Sequence, residues 1–318
     1  VPQAAYPNPF NTGVRPGSLL TLVPVVGSLW RESVDGAGLF TSPVLQGDTF
    51  HKYSNYDFQA TTSLMYLDGA GGGDCLWFDN CNVYTSGLVN NTSAQIQTTT
   101  GLRRLIFTDC TMDGGAAFHN RNIEDGNADL TVLRCQMYHF GNSSVEKNSC
   151  PGKFMDVRDS YFYESRGWQQ ADHIDGIQTD GNMGAVRILH NTVLVEPYGA
   201  ADGDETYGPT SCINITAAFG PISGDVTIDS NWIAGGGYCM YCSTQGSVFT
   251  GHQIVSNNIF DRRYFPYLSP TYASMWGKES ANNSVLYPTN VAPELATGGW
   301  FNNRWEDGTI LTYAQATA

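Results

Sequence analysis

Eight short segments of this chain fit one template: apolar, any, apolar, any, any, then Cys, Ser or Asn, any, apolar. Leu76 to Val83 reads LWFDNCNV, Leu105 to Met112 LIFTDCTM, and Leu130 to Met137 LTVLRCQM. Met155 to Phe162 (MDVRDSYF), Val186 to Val193 (VRILHNTV) and Val226 to Ile233 (VTIDSNWI) follow. His252 to Ile259 (HQIVSNNI) and Gly298 to Trp305 (GGWFNNRW) fit less well. The small polar position falls at Cys81, Cys110, Cys135, Ser160, Asn191, Asn231, Asn257 and Asn303. A supersecondary unit repeated in this way buries its apolar side only by stacking on its neighbours.

The first half of the template alternates, so two apolar side chains point inward from a strand. The phase slips at the small polar residue and then resumes, as a two-residue bend between short strands requires. Steps of 29, 25, 25, 31, 40, 26 and 46 residues between these positions suit one coil each, with insertions in the long ones. The expected architecture is all-β: a single right-handed parallel β-helix, in which each rung pairs with those above and below. Residues 1–45 carry no template and are read as an N-terminal cap; 46–318 form the β-helix, all one continuous domain. His51 to Phe58 (HKYSNYDF) is a degenerate first rung, and the stretch after Asn303 closes the far end.

A weaker row of strands precedes each bend: 95–98, 117–120, 145–148, 177–180, 213–216, 239–242 and 273–276. It aligns Gln97, His119, Glu146, Gln178, Asn214, Met240 and Ser274 on one outer column, with His119, Glu146 and Gln178 as neighbours.

Lys and Arg number 16 against 30 Asp and Glu, a formal net charge of −14, and no basic run is present. Nucleic acid is therefore not an expected partner. No apolar stretch approaches the roughly 18 residues of a membrane span. Cys81, Cys110 and Cys135 occupy the inward slot of consecutive coils, which explains them as buried thiols without oxidation. Cys239 and Cys242 form a CxxC that lacks the second pair a zinc site needs.

The densest polar cluster runs from Asp172 to Asp180 (DHIDGIQTD), after the loop Arg166-Gly167-Trp168-Gln169-Gln170. A glycosidase needs two carboxyl groups about 5 to 10 Å apart. Asp175 and Asp180 are candidates, as is either with Glu146 one rung away. A lyase needs a base, a cation to neutralise a uronate, and a proton donor. His119, His173, Arg121 and Lys147 are its candidates. Trp168 is suited to stacking on a sugar face, and Gln178, Arg121, Tyr198 and Tyr207 complete the candidate glycan-binding set. The bland alternative is that Asp and His at a strand start bond the nearby backbone. No cofactor is expected, save a structural calcium held by Asp172, Asp175 or Asp180, or by the loop Asp202-Gly203-Asp204-Glu205.

The chain resembles the right-handed parallel β-helix proteins of the pectin-lyase-like superfamily, and more closely a group found in secreted bacterial proteins and tailed-phage virions. The residues that carry the resemblance are Asn11 to Gly17 (NTGVRPG), His173 to Gln178 (HIDGIQ), Val226 to Gly237 (VTIDSNWIAGGG) and Asn303-Arg304-Trp305. The polygalacturonase NTD, DD, GHG and RIK pattern is not present. The resemblance implies a virion or cell-surface β-helix that binds a host-surface glycan, located in the virion or outside the cell. Its partners would be a polysaccharide or surface glycan, a homotrimer, or other virion proteins. The alternatives are a secreted polysaccharide lyase or glycoside hydrolase and a non-catalytic decoration protein.

Overall fold

A computed structural model describes residues 22–26, 49–60, 65–67, 74–85, 94–98, 101–115, 119–126, 128–165, 173–195, 210–236, 238–244, 247–261 and 298–317. The described chain is all-β, with long parallel sheets and no closed barrel, compatible with a parallel β-solenoid. Its strands fall into three rows that the chain visits in turn. The first row contains Asp74–Asp79, Leu102–Thr108, Asp129–Leu133, Met155–Arg158, Val186–Leu189, Val226–Asp229 and Gln253–Ser256. The second follows each bend: Asn82–Thr85, Thr111–Asp113, the start of Gln136–Lys147, Tyr161–Ser165, Thr192–Val195, Trp232–Gly235 and Ile259–Asp261. The third contains Ala94–Thr98, His119–Asp125, the end of Gln136–Lys147, Asp175–Thr179, Ser211–Thr216 and Tyr238–Ser243.

The template positions line up rung upon rung. Tyr53, Phe78, Phe107, Val132, Val157, Ile188, Ile228, Val255 and Trp300 form one column of register partners. Val83, Met112, Met137, Phe162, Val193, Ile233 and Phe260 form another. These side chains belong to one continuous core. Within it the rings of Tyr53, Phe78 and Phe107 stack at 5.1 Å spacing, close to the strand separation that parallel pairing imposes.

The bend has a fixed chemistry. Asn80, Asp109, Arg134, Asp159, His190, Ser230, Asn257 and Asn302 all have positive φ. Asn and Asp tolerate this left-handed conformation better than other non-glycine residues. The next residue occupies the buried slot. Asn191 Nδ2 donates to Val157 O at 2.9 Å and to Asn231 Oδ1 at 3.0 Å, while the Asn191 N–H donates to that same oxygen at 2.8 Å. Asn231, Asn258 and Asn303 continue the pattern. The slot on the next-to-last rung is thus Asn258, not Asn257. Asn257 is the left-handed residue before it, and the true octet is Gln253 to Phe260, one residue later than its expected position. Cysteines hold the slot on the early rungs: Cys110 Sγ donates to Phe78 O at 3.4 Å, the equivalent carbonyl. All eight cysteines are buried free thiols.

At the N-terminal end Leu22–Val26 pairs antiparallel with Thr49–Ser54, which covers the edge of the first row. At the other end Leu311 and Ala316, the latter in the short helix Tyr313–Thr317, join the core beside Trp300.

Candidate functional site

The third row positions the candidate site. Ile123, Val145, Ile177, Ile213 and Met240 are register partners inside the core. The next residue on each strand points to the opposite face. The outer column therefore reads Gln97, Glu124, Glu146, Gln178, Asn214 and Tyr241. Two expected members are displaced. His119 pairs with Phe140, and a register shift between His119 and Arg121 brings Glu124, not His119, beside Glu146. Met240 faces inward and Tyr241 takes its place. Ser274 lies outside the described residues.

A parallel column, Arg121, Ser143, Asp175 and Ser211, runs beside the first. Its side chains bond with those of the first column. Arg121 Nε pairs with Glu146 Oε2. Ser143 Oγ donates to Gln178 Oε1 at 2.7 Å. Gln178 Nε2 donates to Asp180 Oδ2 at 2.9 Å, and Thr216 Oγ1 donates to Asp180 Oδ1 at 3.0 Å. Asn148 ties the Glu146 carboxylate to the Asp180 backbone: its Nδ2 donates to Glu146 Oε1 at 2.9 Å, and its Oδ1 accepts the backbone N–H of Asp180 at 2.6 Å.

Asp175 has no solvent exposure. Ser211 Oγ donates to its Oδ1, and Asn214 Nδ2 approaches its Oδ2 at 3.4 Å. Burial pushes its carboxyl up to about 7; the two donors oppose the shift, and the Asp180 and Glu146 charges add to it. Glu146 is also raised by burial, against the attraction of Arg121, with Glu124 and Asp180 contributing repulsion. The arrangement can hold one carboxyl protonated near neutrality. Around it stand acceptor groups that are partly exposed, Glu124 and Asp180.

Gly176 explains why Asp175 sits where it does. A Cβ there would lie 2.5 Å from both Cys212 O and Val193 Cγ1, so only glycine lets this strand approach its neighbour.

Of the other expected site residues, His173 is exposed just before the Asp175–Thr179 strand, with no bond to the cluster. Trp168, Tyr198, Tyr207, Asp172 and the 202–205 loop lie outside the described residues. Lys147 is inside the coil, not on its face: its Nζ lies 2.6 Å from Asp125 Oδ2, and both side chains are fully buried. No group of three His, Cys, Asp or Glu suited to a metal occurs among the described residues. Glu124, Asn148, Ser211 and Thr216 were not singled out from the sequence. Only the inter-rung register reveals their place: Glu124, Ser211 and Thr216 lie 22 to 36 residues from the groups they face, and Asn148, two residues from Glu146, lies 32 from Asp180.

No described helix is long and apolar enough to cross a membrane. No protein-family model, curated protein or solved structure matches this chain.

Proposed function

We propose that this chain is a right-handed parallel β-helix of the pectin-lyase-like kind that works at a virion or cell surface and binds a glycan along the outer face of its third row. One observation carries the reading: Glu124, Glu146, Gln178 and Asn214 stand in register on four successive rungs. Rungs recur about every 4.8 Å, so the face offers hydrogen-bonding groups at a spacing suited to an extended polymer. A rigid scaffold keeps those groups in place without an ordering cost at binding. The test is affinity electrophoresis against a panel of bacterial-envelope and plant polysaccharides. The reading expects retardation by at least one of them, weakened in Gln178→Ala. No retardation by any member of the panel would contradict it.

A second reading, a glycoside hydrolase, is favoured by Asp175. A carboxyl held near 7 among other carboxylates is the pattern of a general acid. Its complete enclosure ranks this reading second, because an acid must reach the glycosidic oxygen. Hydrolysis predicts new reducing ends that Asp175→Asn and Asp180→Asn abolish.

A further inference from the structure

We propose that Lys147 and Asp125 condense into an intramolecular isopeptide bond, a covalent tie between adjacent rungs inside the coil. Thr98 Oγ1 and the Ala128 N–H stabilise the charge that develops on Asp125 Oδ1. The inference is independent of what the outer face binds.

Placement comes first. Asp125 and Lys147 are register partners at the ends of the third-row strands His119–Asp125 and Gln136–Lys147. Each stands two residues after an inward apolar residue, Ile123 and Val145, so both side chains point into the coil. Both are fully buried, and Lys147 Nζ lies 2.6 Å from Asp125 Oδ2. A hydrogen bond of that length puts Nζ roughly 3–3.5 Å from Cγ, the separation of a near-attack pair.

The surroundings of the carboxyl suit acyl transfer. Thr98 sits one rung before Asp125 and donates from Oγ1 to Asp125 Oδ1. The Ala128 N–H donates to the same oxygen at 3.0 Å. Two donors on one carboxyl oxygen make an oxyanion hole. The other oxygen, Oδ2, faces the amine and is the one to leave. Lys147 Nζ also donates to Ala128 O. In the product amide Oδ1 is the carbonyl oxygen and keeps both donors, and the remaining N–H keeps Ala128 O. The one contact given up is that between Nζ and Oδ2, which the new bond replaces.

The step balances without a co-reactant. The pair starts ionised. One proton crosses from Nζ to Oδ2, which gives a neutral amine and a neutral acid. Nζ then attacks Cγ, and negative charge falls on Oδ1. The Cγ–Oδ2 bond breaks as Oδ2 takes a second proton from the nitrogen. One amide and one water result, and the three protons of the ammonium end as one on the amide and two in the water. Enclosure favours the product, because two buried charges carry a desolvation cost that a neutral amide does not.

The experiment is mass spectrometry of the full chain, intact and after reduction, alkylation and trypsin. The folded protein is expected to be lighter than its unmodified sequence by one water. Trypsin should not cleave after Lys147, and one branched peptide should join residues 122–134 to 135–153. Asp125 precedes Gly126, and a succinimide between them would also remove one water, so the branch and the variant Lys147→Met separate the two. Lys147→Met should keep the full mass. Thr98→Val retains both reacting groups and keeps the test open if Lys147→Met does not fold. It should form the bond at least about tenfold more slowly, the loss expected for one oxyanion donor, seen as a smaller branched fraction at harvest that grows on standing. A folded native chain of full mass that trypsin cuts after Lys147 overturns the inference. So does a lost water that persists in Lys147→Met. A Thr98→Val protein as fully branched at harvest as the native chain overturns the oxyanion role assigned to Thr98.

Discussion

At the scale of single residues, Gly176 and Asp175 set the site. Replacing Gly176 by Ala pushes a Cβ into the Cys212 carbonyl, which is backbone and cannot swing aside. Gly176→Ala is expected to destabilise the fold by about 2–4 kcal/mol, within the range for overpacking and strain, read as a lower denaturant midpoint. Asp175 makes a pH prediction. Its carboxyl ordinarily titrates at 3.8 and is raised to about 7 here. Below about pH 4 it is protonated whether the chain is folded or not, so it adds no pH dependence. Between 4 and 7 the unfolded chain releases the proton and the folded one keeps it, so stability falls as pH rises. The full loss is on the order of 4 kcal/mol above pH 7. Asp175→Asn should flatten this slope in urea titrations at pH 4.5 and 7.5; an unchanged slope would reject the assignment. Some slope remains in that variant. His139 lies 2.6 Å from Asp113 and 3.0 Å from Glu164. Burial opposes its charge, but the two carboxylates win and raise its affinity for a proton. That stabilisation is fully present below about pH 6.5 and is lost as pH rises through the raised value.

At the scale of elements, the bend slot orders the rungs. The Asn231 side chain holds four buried bonds: its Nδ2 donates to Ile188 O and to Asn258 Oδ1, and its Oδ1 accepts from the N–H and the Nδ2 of Asn191. Asn231→Ala leaves partners unsatisfied on two neighbouring rungs and should cost about 3–5 kcal/mol. Cys110→Ala removes only weak thiol bonds and a little apolar surface, so about 1–2 kcal/mol is expected. Denaturant unfolding of both variants checks the order; equal costs would mean that the asparagine ladder has no special role. The strands of the first two rows were legible in sequence because three apolar positions and one polar slot repeat with little noise. The slip at Asn257 arose where this redundancy fails: Asn257 and Asn258 are both admissible slot residues, and His252 and Gln253 are both poor apolar residues. The third row was harder to read. Its strands alternate less strictly, and the irregularity between His119 and Arg121 carries no composition signal. The cluster from Asp175 to Asp180 was visible as a dense polar run. Glu124 and Thr216 were not, because their place in the site comes from stacking and not from proximity along the chain.

At the scale of the whole molecule, the fold is a stack whose two ends need covering, since exposed strand edges invite further pairing. Leu22–Val26 covers one edge of the first row by antiparallel pairing. At the far end Trp300 Nε1 donates to Leu311 O at 2.8 Å, and Leu311 and Ala316 are buried against the last rung. Ending the chain at Asp307 should uncover that rung and drive concentration-dependent self-association, visible by light scattering; a monodisperse truncated protein would show that this end needs no cover. The same stacking places His190 beside Ser230 on adjacent rungs, with Asn257 one rung further along the same left-handed column. Parallel rungs lie about 4.8 Å apart, within the 4.4–6.8 Å Cα range of a disulfide, whereas two rungs span roughly 10 Å. The most direct measurement is therefore mild oxidation of two folded double variants, His190→Cys with Ser230→Cys and His190→Cys with Asn257→Cys, mapped by mass spectrometry. The stack predicts an intramolecular disulfide in the first and none in the second; a disulfide in the second, or in neither, would contradict it.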